Sequence, residues 1–153
     1  MPAEVVKLDQ SYANNFWRLR KELFTELGEI AENGDLTALE DATKNYYLDH
    51  VGKDMVSWGV LADGQLVATG SLCLFNRIPY AENLTGLEGY ILNIYTSPKY
   101  RKRGYAKQIL DAILAYSKGA GIKRLWLNAS EDGESVYAKL GFTKKGNEME
   151  LFL

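Results

Sequence analysis

The sequence predicts one α/β domain, and three patterns in its 153 residues carry that prediction. Two runs rich in β-formers, Met55 to Leu61 and Gln65 to Phe75, flank Ala62-Asp63-Gly64, and Asp-Gly between such runs marks a tight hairpin. From Gly89 to Tyr95 a nearly all-apolar strand leads through Arg101-Lys102-Arg103-Gly104-Tyr105-Ala106 into a helical pattern, which the strand Lys123 to Asn128 follows. A strand, helix, strand order makes a right-handed parallel crossover. Ahead of these, two helix-patterned segments are available to cover a sheet.

Taken in order, Val5 to Leu8 is a short strand. Ser11 caps a first helix whose apolar positions Phe16, Leu19, Leu23, Leu27 and Ile30 keep helical spacing, and Asn33-Gly34 ends it. Asp35 caps a second helix that carries Leu39, Tyr46, Tyr47 and His50 and stops at Gly52. After the hairpin, Asn76 to Gly86 holds Pro79 and Asn83 and reads as a long loop, of a kind often functional in small domains. Apolar residues on both faces of Tyr90 to Tyr95 mark a central strand. Beyond Ser97-Pro98, Ala106, Ile109, Leu110, Ile113, Leu114 and Ser117 trace one helix face, with Gly119 as the stop. A short helix from Gly133 to Leu140 ends at Gly141. Phe142 to Thr143 and Glu148 to Leu153 then form a closing antiparallel hairpin around Gly146-Asn147.

No repeat, low-complexity tract or linker divides the chain, so residues 1–153 read as a single domain, long enough to bury about two thirds of its unfolded surface. A net charge of -2 gives no whole-chain reason to expect nucleic acid or an anionic membrane, and no apolar run reaches the length of a span. One cysteine, Cys73, excludes an internal disulfide and reads as a small core residue. Met1-Pro2-Ala3-Glu4 lacks the basic and apolar regions of a signal peptide. The expectation is a reducing, cytoplasmic setting, with no metal and no nucleic-acid or membrane partner.

The turn from Arg101 to Ala106 brings unpaired backbone N–H groups, a positive helix end and two or three cations to one point, which suits a phosphate-bearing ligand. Gly104 lets backbone approach such a ligand where a Cβ would collide. Neither Gly-x-x-x-x-Gly-Lys-Ser/Thr nor Gly-x-Gly-x-x-Gly is present, which argues against a nucleoside-triphosphate loop and a dinucleotide fold. What the chain does hold is Arg-x-x-Gly-x-Ala and, downstream, the glycine-terminated Tyr137-Ala138-Lys139-Leu140-Gly141-Phe142. In this order and spacing the pair resembles the signature of the GCN5-related N-acetyltransferase (GNAT) superfamily, over about Leu87 to Phe142.

That resemblance implies a mixed, mostly antiparallel sheet with helices on both faces and a splayed parallel strand pair. It implies an acetyl-CoA-dependent N-acetyltransferase that moves the acetyl group directly to a primary amine of a small molecule or peptide, with a homodimer admitted because similar proteins are frequently dimers. The pyrophosphate is then expected on Arg101, Lys102, Arg103, Gly104, Tyr105 and Ala106. The pantetheine arm is expected on the main chain of Ile94, Tyr95 and Thr96, the N–H of Ile94 polarising the thioester carbonyl. Tyr137 stands where the family places the acid that assists the departing thiolate. Asn128, Ser130 and Gly133 are expected to line the same cleft.

Several residues carry two readings at this point. Asn93 either lines the cleft or bonds across the strand, Ser130 equally serves as a helix cap, and Tyr137 alternatively packs under the sheet. Tyr90 stands where relatives carry a glutamate base, so Glu88, two residues earlier on the same face, is the substitute, acting through water. His50 reads as structural. Glu22, Glu26 and Glu29 either greet a cationic amine or are simply solvated. The acceptor is expected between the two N-terminal helices, the long loop and the closing hairpin, walled by Trp17, Tyr46, Tyr47 and Tyr80. Two rival functions stay open: a non-catalytic acyl-CoA binder using the same cleft, and a module whose Arg101 to Arg103 cluster binds phosphate backbones.

Overall fold

The computed structural model describes residues 3–31 and 33–153, so Met1 and Pro2 of the N-terminal reading lie outside the described residues. Five strands form one sheet in the order β1-β2-β3-β4-β5. They are β1 (Glu4–Lys7), β2 (Met55–Ala62), β3 (Gln65–Asn76), β4 (Leu87–Thr96) and β5 (Arg124–Trp126), accompanied by helices α1 (Ala13–Glu26), α2 (Thr37–His50), α3 (Tyr105–Gly119) and α4 (Glu134–Lys139). Neighbours are antiparallel except β4 and β5, whose parallel pairing is the crossover made through α3. The β2–β3 hairpin turns on Asp63 and Gly64 at φ 52° and 75°, the two left-handed positions of a type I′ turn.

Helices cover both faces, as expected. On one, α3 lays Ile109, Leu110 and Ile113 on Val56, Val60, Leu72 and Ile91. On the other, α1 and α2 lay Phe16, Leu19 and Tyr47 on Met55, Leu66 and Tyr95. Burying each such side chain stabilises by about 1.5–3 kcal/mol, so the middle strands are held from both sides. Close approach of α3 depends on Gly70, where a Cβ would meet Ile109 Cγ2 at 2.5 Å and Ile94 Cδ1 at 2.7 Å. Gly70→Ala is expected to cost about 1–3 kcal/mol by overpacking. Urea unfolding should show a lowered midpoint at unchanged slope.

Four local expectations are corrected. The first helix opens as a 3-10 turn, Gln10–Tyr12, capped by Asp9 rather than Ser11: the Asp9 carboxylate accepts the Ser11 N–H at 2.9 Å. It closes at Glu26, because Gly28 at φ 74° turns the chain well before Asn33-Gly34 and leaves Leu27 and Ile30 beyond the helix. Helix α3 runs through Gly119, and Gly121 at φ 73° makes the reversal. The closing hairpin is absent: residues 142–153 carry no strand, and Met149, Leu151 and Phe152 are 94%, 83% and 87% exposed. A lone two-stranded hairpin is marginal in water, and β5 is only three residues long.

Candidate active site

The site begins at a defect in β4. Ser71 pairs with Leu92 and Thr69 with Tyr95, so β4 carries one residue more than β3 across the same span, a β-bulge. Asn93 occupies it at φ 59° and is buried. Its Oδ1 accepts from Arg20 at 3.3 Å, its carbonyl accepts from Thr69 Oγ1 at 3.3 Å, and its Nδ2 is buried without a partner. Pairing between β4 and β5 runs only from Glu88↔Arg124 to Tyr90↔Trp126. Beyond Tyr90 the strands part, and Ile94, Tyr95 and Thr96 lie along the opened stretch of β4.

At the far end of that opening stands the basic turn. Lys102 and Gly104 both adopt left-handed backbone, φ 63° and 81°, and Gly104 caps α3. The first helical bond is Gln108 N–H to Gly104 O, at 3.0 Å, and the amides of Arg103, Gly104, Tyr105 and Ala106 find no acceptor among the described residues. Four such donors at a helix N-terminus form an anion-binding nest. A Cβ at Gly104 would meet nothing within 4 Å; glycine here answers to φ and to whatever approaches from outside.

Not all three cations face that nest. The Arg101 guanidinium is pinned to Glu26 by two bonds of 2.9 and 2.6 Å and donates from Nε to Thr96 O at 2.9 Å, tying the end of α1 to the end of β4. Arg103 lies 5.2 Å over the Tyr100 ring, and Lys102 is exposed. Tyr105 is buried in the α3 core.

Tyr137, on α4, packs edge-on against Phe142 at 6.0 Å between ring centroids and is half-buried. Burial holds its phenol above the ordinary tyrosine value, so it remains a proton donor. Ser130 is a cap, its Oγ accepting from Gly133 N at 3.2 Å, and a Cβ on Gly133 would stand 3.2 Å from the Tyr137 ring. Asn128 Nδ2 donates to Tyr90 Oη at 3.2 Å, and the Tyr90 ring rests on Trp126 at 4.2 Å. Asn128 and Tyr137 share a cavity of about 980 Å³ bounded by β5, α4 and residues 142–148.

The structure gives Glu88 a different place from that of an accessible base. It is fully enclosed, with Tyr80 Oη donating to one oxygen, Arg124 donating to the other at 2.9 Å, and Arg77 at 3.5 Å. Burial pushes its pKa up, but the bonds from Tyr80 and Arg124 and the charges of Arg124 and Arg77 outweigh it and leave the carboxyl below its ordinary value. So held, it clamps the loop at 77–86 to β4 and β5. A folded pKa below the unfolded one stabilises the protein above the ordinary carboxylate range, and that gain is lost as pH falls through the folded value. Glu88→Gln is expected to cost about 1.5–3 kcal/mol near neutrality. Thermal unfolding at stepped pH should show the gap from wild type closing in acid.

The expected acceptor wall is only partly present. Trp17 and Tyr47 are core residues, Tyr47 Oη donating to Asp9 O, whereas Tyr46 and Tyr80 reach the surface. Tyr46 stacks on His50 at 4.2 Å and lies 3.6 Å from Cys73 Sγ; His50 Nδ1 is 2.6 Å from Asp54. Cys73 is half-buried beside this group rather than central to the core. Glu22 accepts from Tyr95 Oη and Ser97 Oγ, each at 3.3 Å, and Glu26 is spent on Arg101. Burial, with the charges of Glu22 and Glu26, pushes Tyr95 up to about 12. Sequence reasoning passed over Arg20, whose guanidinium lies 4.4 Å over Phe24 and bonds Asn93. Its signal is position: it stands four residues from both Phe16 and Phe24, on the flank of the apolar stripe.

Residues 15–142 match the model of the Acetyltransferase (GNAT) family. The chain belongs to that family. It is an acetyl-CoA-dependent N-acetyltransferase. The fold of this GNAT enzyme matches a crystal structure of a predicted acetyltransferase with acetyl-CoA from Clostridium acetobutylicum at a TM-score of 0.88, 28% identical and covering 99% of this chain and 96% of that one. It also matches a GCN5-related N-acetyltransferase from Ralstonia eutropha JMP134 at a TM-score of 0.87, 26% identical over 99% of each chain. A probable glucosamine 6-phosphate N-acetyltransferase of Oryza sativa subsp. japonica is 26% identical over 130 residues, 82% of this chain and 76% of that protein. Among the described residues no helix is long and apolar enough to cross a membrane.

Proposed function

We propose that this enzyme acetylates a primary amine on a small molecule, by direct attack of the amine on the thioester of acetyl-CoA. The observation that carries the reading is the nest of four acceptor-free amides at residues 103–106, placed at the end of the stretch where β4 and β5 part. Those amides suit the diphosphate, aided by Lys102 and Arg103 but not by the Arg101 side chain. The opened edge of β4 suits the pantetheine arm, and the N–H of Ile94 would be the donor that polarises the thioester carbonyl; such a donor is worth about 2.7–4 kcal/mol.

When bound, acetyl-CoA supplies an activated acetyl group; the chain supplies position and protons. The amine would attack as its free base, its new C–N bond forming as the C–S bond breaks, and Tyr137 would pass its proton to the departing sulfur and regain one from the proton the acylated nitrogen sheds, a task its raised pKa fits. Glu88 is assigned a positioning role, through the clamp on the loop at 77–86. A small acceptor is supported by the rice relative, whose name describes action on an amino-sugar phosphate. It is also supported by Arg20, a part-buried cation beside the β4 bulge that favours an acceptor bearing an oxygen to receive it.

A thermal-shift titration with acetyl-CoA tests the binding half: ligand at a hundredfold its dissociation constant stabilises by about 2.7 kcal/mol. Release of CoA thiol against amino sugars, polyamines, amino acids and peptides tests the transfer. Turnover on peptides alone, with none on the small amines, would overturn the small-molecule acceptor. Absence of a shift would overturn the proposal.

A further inference from the structure

Most arginines of this chain hold a carboxylate: Arg18 pairs with Glu22, Arg77 and Arg124 with Glu88, and Arg101 with Glu26. Arg103 is exposed beside the amide nest. Arg20 is the exception. It stands midway along α1, is part-buried, and enters no ion pair among the described residues. Its guanidinium lies over the Phe24 ring and donates to the amide oxygen of Asn93 at 3.3 Å, which is a dipole and not a counter-charge. A charge withdrawn from water without a counter-charge raises the free energy of the folded protein, and a bound anion offsets that cost.

The surroundings of Arg20 hold little negative charge. The ionisable groups that face it are Cys73, Glu29, Tyr90 and Tyr46. Burial pushes the thiol and both phenols up, so all three are neutral near neutral pH. Glu29 is exposed beyond the end of α1, where solvent and salt screen it. Acids on the elements packed nearby are engaged elsewhere: Glu22 with Arg18, Glu26 with Arg101, Glu88 with Arg124 and Asp54 with His50. Burial lowers the pKa of Arg20 itself, yet a guanidinium keeps its proton. Cys73 and Tyr90 are register partners on β3 and β4, and Tyr46 Oη is 3.6 Å from Cys73 Sγ, so these groups form one wall. Tyr90 Oη accepts from Asn128, which leaves its own proton free to donate.

We infer that Arg20 sets acceptor specificity: the small molecule that carries the amine also carries an anionic oxygen-acid group, carboxylate or phosphate, which binds the Arg20 guanidinium. This deepens the proposed acetylation and rests on it. Position supports the pairing. Arg20 is bonded to Asn93, and Asn93 directly precedes Ile94, whose N–H would polarise the thioester carbonyl. The anion then lies within about three residue lengths, on the order of 10 Å, of the reacting carbon. One small molecule spans that distance. A planar guanidinium receives a carboxylate or phosphate through two parallel bonds, which would also orient the amine. A polyamine would instead meet a cation that no carboxylate neutralises.

The test is acetyl transfer to matched acceptors that differ in the anion alone: glucosamine 6-phosphate against glucosamine, and amino acids against their amides. In at least one pair the anionic member is expected to show a kcat/KM about tenfold to a hundredfold higher, carried by KM. The pair that shows it tells phosphate from carboxylate. Arg20→Met keeps an apolar stem on Phe24 and should erase the preference by lowering activity on the anionic member only; Arg20→Lys should restore part of it. Acetyl-CoA affinity, read by calorimetry, should stay at the wild-type level in both variants, with circular dichroism reporting that they are folded. Where Arg20→Met does not fold, the wild-type pairs and Arg20→Lys decide. Equal activity within both pairs, a preference retained in Arg20→Met, or turnover confined to polyamines overturns the inference and leaves the proposed acetylation standing. No transfer to any amine, with no acetyl-CoA thermal shift, defeats the proposed function and the inference with it.

Discussion

Replacing Tyr137 with phenylalanine is expected to lower kcat about 10²–10⁴-fold, the range general-acid assistance supplies, while acetyl-CoA binds as before. The ring keeps its place against Phe142 and under Gly133, because only the hydroxyl is removed. The loss therefore falls on the step in which sulfur departs. The pH profile adds a second signature. A phenol donates only below its folded pKa, and burial raises that value above the ordinary 10.0. The alkaline limb assigned to Tyr137 should accordingly lie above the ordinary tyrosine range and vanish in the variant. Unchanged kcat with weakened acetyl-CoA binding would make Tyr137 a packing residue instead.

Gly104→Val is expected to strike the other half of the reaction. The backbone at φ 81° must be kept for the amides at 103–106 to converge, and a β-branched residue there is strained. Its side chain would also project where the ligand approaches, since nothing in the protein fills that space. Losing one hydrogen bond to a charged group costs about 1.5–3 kcal/mol, so acetyl-CoA affinity should fall about tenfold to a hundredfold. Calorimetric titration checks this, with circular dichroism confirming that α3 is retained. Wild-type affinity in the variant would place the diphosphate elsewhere.

Much of this was legible in the chain because the signals were local. Asp63-Gly64 reports its own turn. The apolar run of β4 reports burial on both faces, and Gly104 and Gly141 mark the start of α3 and the end of α4. Helix ends were less legible, because Gly28 and Gly121 compete with Asn33-Gly34 and Gly119 as stops and only packing chooses among them. The enclosure of Glu88 was invisible: it depends on Tyr80, Arg77 and Arg124, from a loop and a parallel strand that meet only in three dimensions. The capture of Arg101 by Glu26 is of the same kind, a long-range pairing that removes a cation from the site the motif suggested. The final segment alternates like a strand but forms none, because alternation alone supplies no neighbouring strand to pair with.

Backbone hydrogen exchange with and without acetyl-CoA addresses the central claim most directly. Slowed exchange at the amides of residues 103–106, together with 94–96 on β4, is the predicted result. Exchange at those positions unchanged by saturating acetyl-CoA, with protection appearing elsewhere in the chain, would contradict it.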